Sequence, residues 1–129
     1  MSKKKGTRLE RELFHMLFEA GWQPCRFAGS GSTPLPAVDI IAGNAGRVLA
    51  IECKATKKDK KYIEEEKILE LKDFSERFGA EPWVGMRFNN MSWFFLSLDN
   101  MERSKKGSFI ISKDIAKKKG LEFDDLIKS

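Results

Sequence analysis

Two of the most apolar stretches of this 129-residue chain each contain one acidic side chain. Asp39 interrupts Val38-Asp39-Ile40-Ile41, and Glu52 interrupts Leu49-Ala50-Ile51-Glu52-Cys53. Carboxylates are rarely buried unless paired or bound to a cation, so both positions need a reason. Strand geometry suggests one. If Gly43-Asn44-Ala45-Gly46 is a turn with Ala42 opposite Arg47, Asp39 faces Ala50. Glu52 lies two residues further along that side, and Lys54 shares it by period-2 alternation. Asp39, Glu52 and Lys54 then converge on one face, whereas a one-residue slip would move Asp39 to the other face. The plainer alternative is a set of strand-end charges, such as an Asp39–Lys54 ion pair.

A third carboxylate lies upstream. On a helical wheel with Leu13 at the origin, Leu17 falls at about 40° and Glu10 at about 60°. Glu10 therefore lies in an apolar stripe, while Glu12 and Glu19 lie off it. The alternative is a first-turn capping glutamate, since Thr7 and Glu10 fit an S/T-x-x-E box. Carboxylates gathered at one point repel one another and call for a cation. Their hard oxygens suit magnesium, with manganese as a substitute, rather than zinc. Such an ion polarises a phosphate and helps generate a hydroxide nucleophile, and an adjacent lysine positions water or stabilises charge at phosphorus. The chemistry indicated is phosphodiester hydrolysis.

Composition narrows the alternatives. Two cysteines, Cys25 and Cys53, are too few for a disulfide framework or a structural zinc site. A single histidine, His15, excludes multi-histidine metal centres and disfavours a Ser-His-Asp hydrolase. The net charge of +5 favours a polyanionic partner. Ten phenylalanines and three tryptophans supply a core. No apolar run is long enough to span a membrane, and Met1–Lys5 lacks a signal-peptide core, so a cytoplasmic protein without a membrane partner is expected.

The elements that position these residues read as α-β-β-β-α-β-β with a short helical tail, in one domain over residues 1–129 with a flexible basic tail at 1–6. The first helix is expected over Thr7–Ala20, ending at Gly21. Strands follow at Trp22–Phe27, Ala37–Ala42 and Arg47–Cys53, with a surface loop over Ala28–Pro36. The second and third strands are nearly continuously apolar, as in a central sheet covered on both faces. After the lysine-rich segment Lys54–Lys61, a second helix is expected over Ile63–Phe78, stopped by Gly79. Its apolar face is Ile68, Leu71, Phe74 and Phe78. A hairpin is expected from Trp83–Phe88 and Ser92–Ser97 around Asn89-Asn90, then a short strand near Phe109–Ile111 and helical turns toward Ile127. Trp22, Trp83 and Trp93 are expected in the core.

Asp39 followed by Glu52-Cys53-Lys54 resembles the D…(D/E)-x-K signature of the PD-(D/E)XK nuclease superfamily. Its order relative to Leu9-Glu10-Arg11-Glu12-Leu13, to Arg26 with Gly29-Ser30-Gly31-Ser32, and to Phe74-Ser75-Glu76-Arg77-Phe78-Gly79 is similar to that of the archaeal Holliday junction resolvase family over roughly residues 5 to 100. The resemblance implies a restriction-endonuclease-like α/β fold with a mixed, mainly antiparallel sheet flanked by helices. It implies a homodimeric, magnesium-dependent endonuclease that cuts paired strands of four-way junction DNA in recombination and repair, leaving 5′-phosphate and 3′-hydroxyl ends. Carried over residue by residue, it implies Glu10, Asp39 and Glu52 as metal ligands with the Cys53 carbonyl, Lys54 as catalytic lysine, and Ser30 as a serine needed for cleavage. Arg11 and Arg26 are implied as DNA contacts, and Phe74 and Phe78 as dimer contacts. Lys5, Arg8, Ser32, Lys57 and Lys58 extend the DNA-binding set, on charge and on position beside the site. A sliding clamp is left open as an accessory partner. Val38 stands where the superfamily usually has proline. The alternatives are a nuclease of the same fold acting on duplex or flap DNA, and a non-catalytic branched-DNA-binding module.

Overall fold

In the computed structural model, residues 3–27 and 38–128 are described, the side chains of residues 3–7 excepted. The expected loop Ala28–Pro36, with Ser30 and Ser32, lies outside the described residues, as does the Lys5 side chain. In chain order the elements are α1 (Lys3–Glu19), β1 (Gln23–Arg26), β2 (Ile40–Gly43), β3 (Val48–Thr56), β4 (Lys60–Ile63), α2 (Glu65–Phe78), β5 (Glu81–Phe88) and β6 (Trp93–Ser97). A 3-10 turn at Leu98–Asn100 follows, then β7 (Glu102–Arg103), β8 (Phe109–Ser112), α3 (Lys113–Lys119), β9 (Leu121–Glu122) and α4 (Phe123–Lys128).

The two apolar strands form the centre because neither of their faces tolerates water. Six strands lie in the order β1-β2-β3-β5-β6-β9. β3 and β5 run parallel, and every other neighbour in that sheet is antiparallel. On one face Leu9, Leu13 and Leu17 of α1 pack over Ile40, Leu49 and Ile51, with Phe95 of β6 and Leu126 of α4. On the other face Ile68 and Leu71 of α2 pack over Ile41, Ala50, Val84 and Met86. The sheet is thus mixed, mainly antiparallel and covered by helices on both sides. A smaller sheet, ordered β4-β8-β7, adds Ile63 and Ile111 to the α2 side.

Several local expectations are corrected. Helix α1 opens at Lys3, so residues 3–6, expected as a tail, form its first turn, and Thr7 is not its cap. β3 runs three residues past Cys53, and the lysine-rich segment folds back as β4. Helix α2 starts at Glu65, where Glu65 and Glu66 favour the positive end of the helix dipole. Gly79 stops it in the left-handed region at φ 83°, its N–H donating to the Ser75 carbonyl at 2.9 Å.

The register differs by two residues. Ala42 lies opposite Leu49 rather than Arg47, and Ile40 opposite Ile51. The cause is a tighter turn. Asn44 and Arg47 close it through Asn44 N–H to the Arg47 carbonyl at 3.2 Å, and the Asn44 side chain accepts from Gly46 N–H at 3.0 Å and Arg47 N–H at 2.6 Å. Ala45 takes φ 71° to make this possible. A shift of two preserves parity, so Asp39 stays on the side that carries Glu52 and Lys54.

Candidate active site

Asp39 sits one residue before β2, only 9 % exposed. Its main chain is anchored by Phe27 N–H, which donates to the Asp39 carbonyl at 3.1 Å. Its Oδ2 accepts from the Cys53 N–H at 2.7 Å. Continuing the β2–β3 ladder past Ile40 and Ile51 sets Asp39 against Glu52, so the two carboxyl groups face one another.

Burial pushes the Glu52 carboxyl up to about 9, with help from the hydrogen bond to Asp39 and from that residue's charge. Lys54 and Lys67 pull it down without offsetting the burial. Glu10 is also raised, first by burial and then by Asp39, while Arg26 opposes the shift. The Arg26 Nε lies 3.3 Å from Glu10 Oε1, each side chain 18 % exposed. That Nε makes no directed hydrogen bond, so the contact is an ion pair. Glu10, Asp39, Glu52, Arg26 and Lys54 therefore come together from α1, the approach to β2, β3 and β1.

Cys53 points the other way. Its thiol lies in the α1-side core and is held well above its ordinary value by burial first, then by Asp39, Glu52 and Glu10. Only the Cys53 backbone is available to the carboxylates. The donor set is hard oxygen, and a carboxylic pair of which one member holds a proton far above its usual range suits a divalent cation in that proton's place. Among the described residues no three His, Cys, Asp or Glu side chains already form a cage. Glu10 is instead turned to Arg26, and Asp39 to the Cys53 amide.

Lys67 was missed by the sequence reading. It stands on α2 four residues before the buried Leu71, so it lies on the helix's apolar stripe. A charge on an apolar stripe was the signal that drew attention to Glu10, and it was present here too. Glu12 and Arg87 were also missed. The Arg87 guanidinium pairs with Glu12 Oε1, which accepts from Trp93 Nε1–H at 2.8 Å as well. These two residues line a cavity of about 280 Å³ with Arg8, Lys57, Asn89 and Asn90, at the carboxyl ends of the parallel strands β3 and β5.

Arg8, Arg11, Lys57 and Lys58 are exposed, and Arg26 is mostly covered. On α2 the expected apolar face divides. Ile68 and Leu71 are buried, with Ser75 beside them. Phe74 is half-buried, and Phe78, 55 % exposed, stacks on it with ring centres 5.5 Å apart. Trp22 and Trp93 are core residues, and Trp83 is partly buried against them. Among the described residues no helix is long and apolar enough to cross a membrane.

Comparison with known proteins follows the same lines. A family profile described as archaeal Holliday junction resolvase matches residues 1–129. A crossover junction endodeoxyribonuclease Hjc of Archaeoglobus fulgidus is 40 % identical over 104 residues, covering 81 % of this chain and 76 % of that protein. One from Methanocaldococcus jannaschii is 38 % identical over 133 residues, covering 96 % of each. The solved structure of Archaeoglobus fulgidus Hjc, a Holliday junction resolvase from a hyperthermophile, superposes with a TM-score of 0.87 at 36 % identity, over 94 % of this chain and 97 % of that one.

Proposed function

Because the chain belongs to the archaeal Holliday junction resolvase family, we propose that it resolves four-way DNA junctions at the site built from Glu10, Asp39, Glu52 and Lys54. It is a nuclease of the crossover junction endodeoxyribonuclease type, with the fold of its solved relative. The observation that carries the site assignment is the Asp39–Glu52 pair. The strand register sets the two carboxyls opposite one another, with Asp39 accepting from the Cys53 amide, in strands otherwise filled by apolar residues.

A divalent metal is general to this family, and the residues that would hold it are Asp39, Glu52, the Cys53 carbonyl and Glu10. We take the ion to be magnesium, with manganese as a substitute; when bound it polarises the scissile phosphate and lowers the pKa of water. Lys54, on the same side of β3 as Glu52, donates to the attacking water or to the phosphate oxygens on which negative charge develops. Arg26 orients Glu10 and gives a phosphate a second positive contact. Arg8, Arg11, Lys57 and Lys58 neutralise backbone phosphates without reading sequence, which suits recognition of branch shape. Lys5, Ser30 and Ser32 are assigned to the same DNA face on the family resemblance, with Ser30 also required for cleavage.

Two copies joined through Phe74 and Phe78 of α2 would present two such sites to paired strands. In this reading residues 1–129 act as one nuclease domain in the cytoplasm, where the DNA substrate is. The test is an end-labelled synthetic four-way junction beside a matched linear duplex, with magnesium and then with EDTA. Paired symmetric nicks in the junction alone, lost in EDTA, are expected. Equal cutting of duplex would leave a nuclease of different substrate. Tight junction binding without nicks in any divalent metal would leave a binding module.

A further inference from the structure

We propose that Tyr62, on the outer face of the small sheet, stacks on a base exposed at the junction's branch point and so contributes to the preference for junctions over duplex. The inference rests on the junction reading above. In the β4–β8–β7 sheet, Ile63 and Ile111 are buried in the α2-side core, 2 % and 0 % exposed. By alternation the opposite face carries Lys60, Tyr62, Ile110, Ser112 and Glu102, with Tyr62 paired to Ile110, Ile110 in turn to Glu102, and Lys60 to Ser112. The water-facing side of an antiparallel sheet ordinarily carries polar residues. Here it presents a tyrosine that is 58 % exposed.

The charge around the ring points to its partner. Lys57, Lys58 and Lys60 are exposed and Lys61 is half-buried. Asp59, the only acid in that run, is taken by Lys113, whose Nζ lies 3.2 Å from Asp59 Oδ1 and whose N–H donates to the Asp59 carbonyl at 2.9 Å. The other large apolar side chains exposed among the described residues are Phe18, Leu69 and Phe78. None of those three stands in a lysine run. The acids nearest the ring lie on the far side of it, Glu102 beyond Ile110 and Glu64 after Ile63, so the ring borders the lysine run on one side only. An aromatic ring beside a run of cations is a combination that binds nucleotides, because every base offers a π face and every nucleotide a phosphate.

The platform is also fixed relative to the catalytic strand. β3 carries Glu52 and Lys54 and turns directly into β4. Lys58 N–H donates to Thr56 Oγ1 at 3.1 Å, and Asn89 N–H to the Thr56 carbonyl at 3.0 Å. A base held by Tyr62 would therefore set the position of the strand entering the site. Bases within a duplex are stacked on both sides and gain nothing from the ring, whereas opening a junction leaves the base pairs at the branch point with one unstacked face.

The experiment uses the whole chain with Tyr62→Ala, Tyr62→Phe and Tyr62→Trp, and a four-way junction carrying 2-aminopurine at the branch point. Wild type should change the 2-aminopurine fluorescence on binding. Tyr62→Ala should lose that change and bind the junction roughly tenfold more weakly, with duplex affinity and DNA-free sedimentation unaltered, while Phe and Trp retain both signals. Unaltered fluorescence and affinity in Tyr62→Ala would overturn the inference while wild type still resolves junctions. So would an equal loss on duplex, or an altered sedimentation that marks Tyr62 as a protein contact. If wild type itself fails to prefer the junction, the functional reading falls first.

Discussion

Burial first, and then the neighbouring Asp39, oppose a negative charge on Glu52 and push its carboxyl up to about 9. Asp39→Asn and Glu52→Gln should each reduce junction cleavage by at least about a hundredfold, while gel-shift affinity for the junction in calcium stays near wild type. Retained cutting by both variants would remove the site assignment. A second residue-scale prediction concerns stability. Glu81 is held below its ordinary value chiefly by hydrogen bonds from Arg47, both at 2.8 Å. A depressed carboxylate stabilises the fold above its unfolded value and loses that contribution as pH falls through the folded value. Wild type should therefore be more stable than Glu81→Gln at pH 7, with the gap closing in urea titrations as pH falls below the ordinary glutamate value. The gap should be small, because the Glu81 side chain is 41 % exposed. Asp39 and Glu52 were legible because a charge inside an apolar strand is conspicuous. Lys67 obeys the same rule, as a charge on the apolar stripe of α2. Its long stem lets a lysine lie on such a stripe with its charge at the edge, which makes it less conspicuous than a carboxylate. Glu12 was rightly placed off the stripe of α1, but its partners Arg87 and Trp93 lie on distant strands that helical periodicity does not reach.

Among the elements, β3 and β5 frame the proposed site, and Gly85 of β5 is packed closely against both β6 and β3. A Cβ there would come 3.1 Å from Phe95 Cε1, 3.3 Å from Trp93 Cζ3 and 3.4 Å from Ile51 Cγ2. Phe95 and Trp93 are buried and stacked on each other, so neither ring has room to retreat. Gly85→Ala should destabilise the protein by about 1–3 kcal/mol in chemical denaturation. Cleavage should fall as well, because Ile51 adjoins Glu52. An unchanged midpoint would show that the two rings can shift. The central strands and both long helices were readable from apolar period and glycine stops. β7 and β9, two residues each, carry no period to read, and β4 is written mostly in lysine and tyrosine, which look like surface. The turn before β3 was found, but its register was not. The closing pair depends on Asn44 accepting two backbone N–H groups, a choice that composition leaves open.

For the whole molecule, the proposed association with DNA and with a second copy would rest on surface charge and on the exposed edge of α2. Lys57→Ala and Lys58→Ala should weaken junction and duplex binding alike, each lowering the slope of log affinity against log salt by about 1. Phe78→Glu should leave a folded chain that sediments as a monomer, if the exposed half of the Phe74–Phe78 stack is the dimer contact. A dimer that survives Phe78→Glu would move the interface elsewhere. The α1-side core has a further consequence. Leu9, Leu13 and Leu17 share it with the fully buried Leu126, and the Leu126 carbonyl accepts from Arg47 Nη1–H at 2.8 Å. On the ribosome, the opening helix is made first and finds this partner only after residue 126 has emerged. Until then its leucine stripe is open to chaperones or to other nascent chains, and premature termination even a few codons short of Leu126 would release a chain whose first helix is never fully covered.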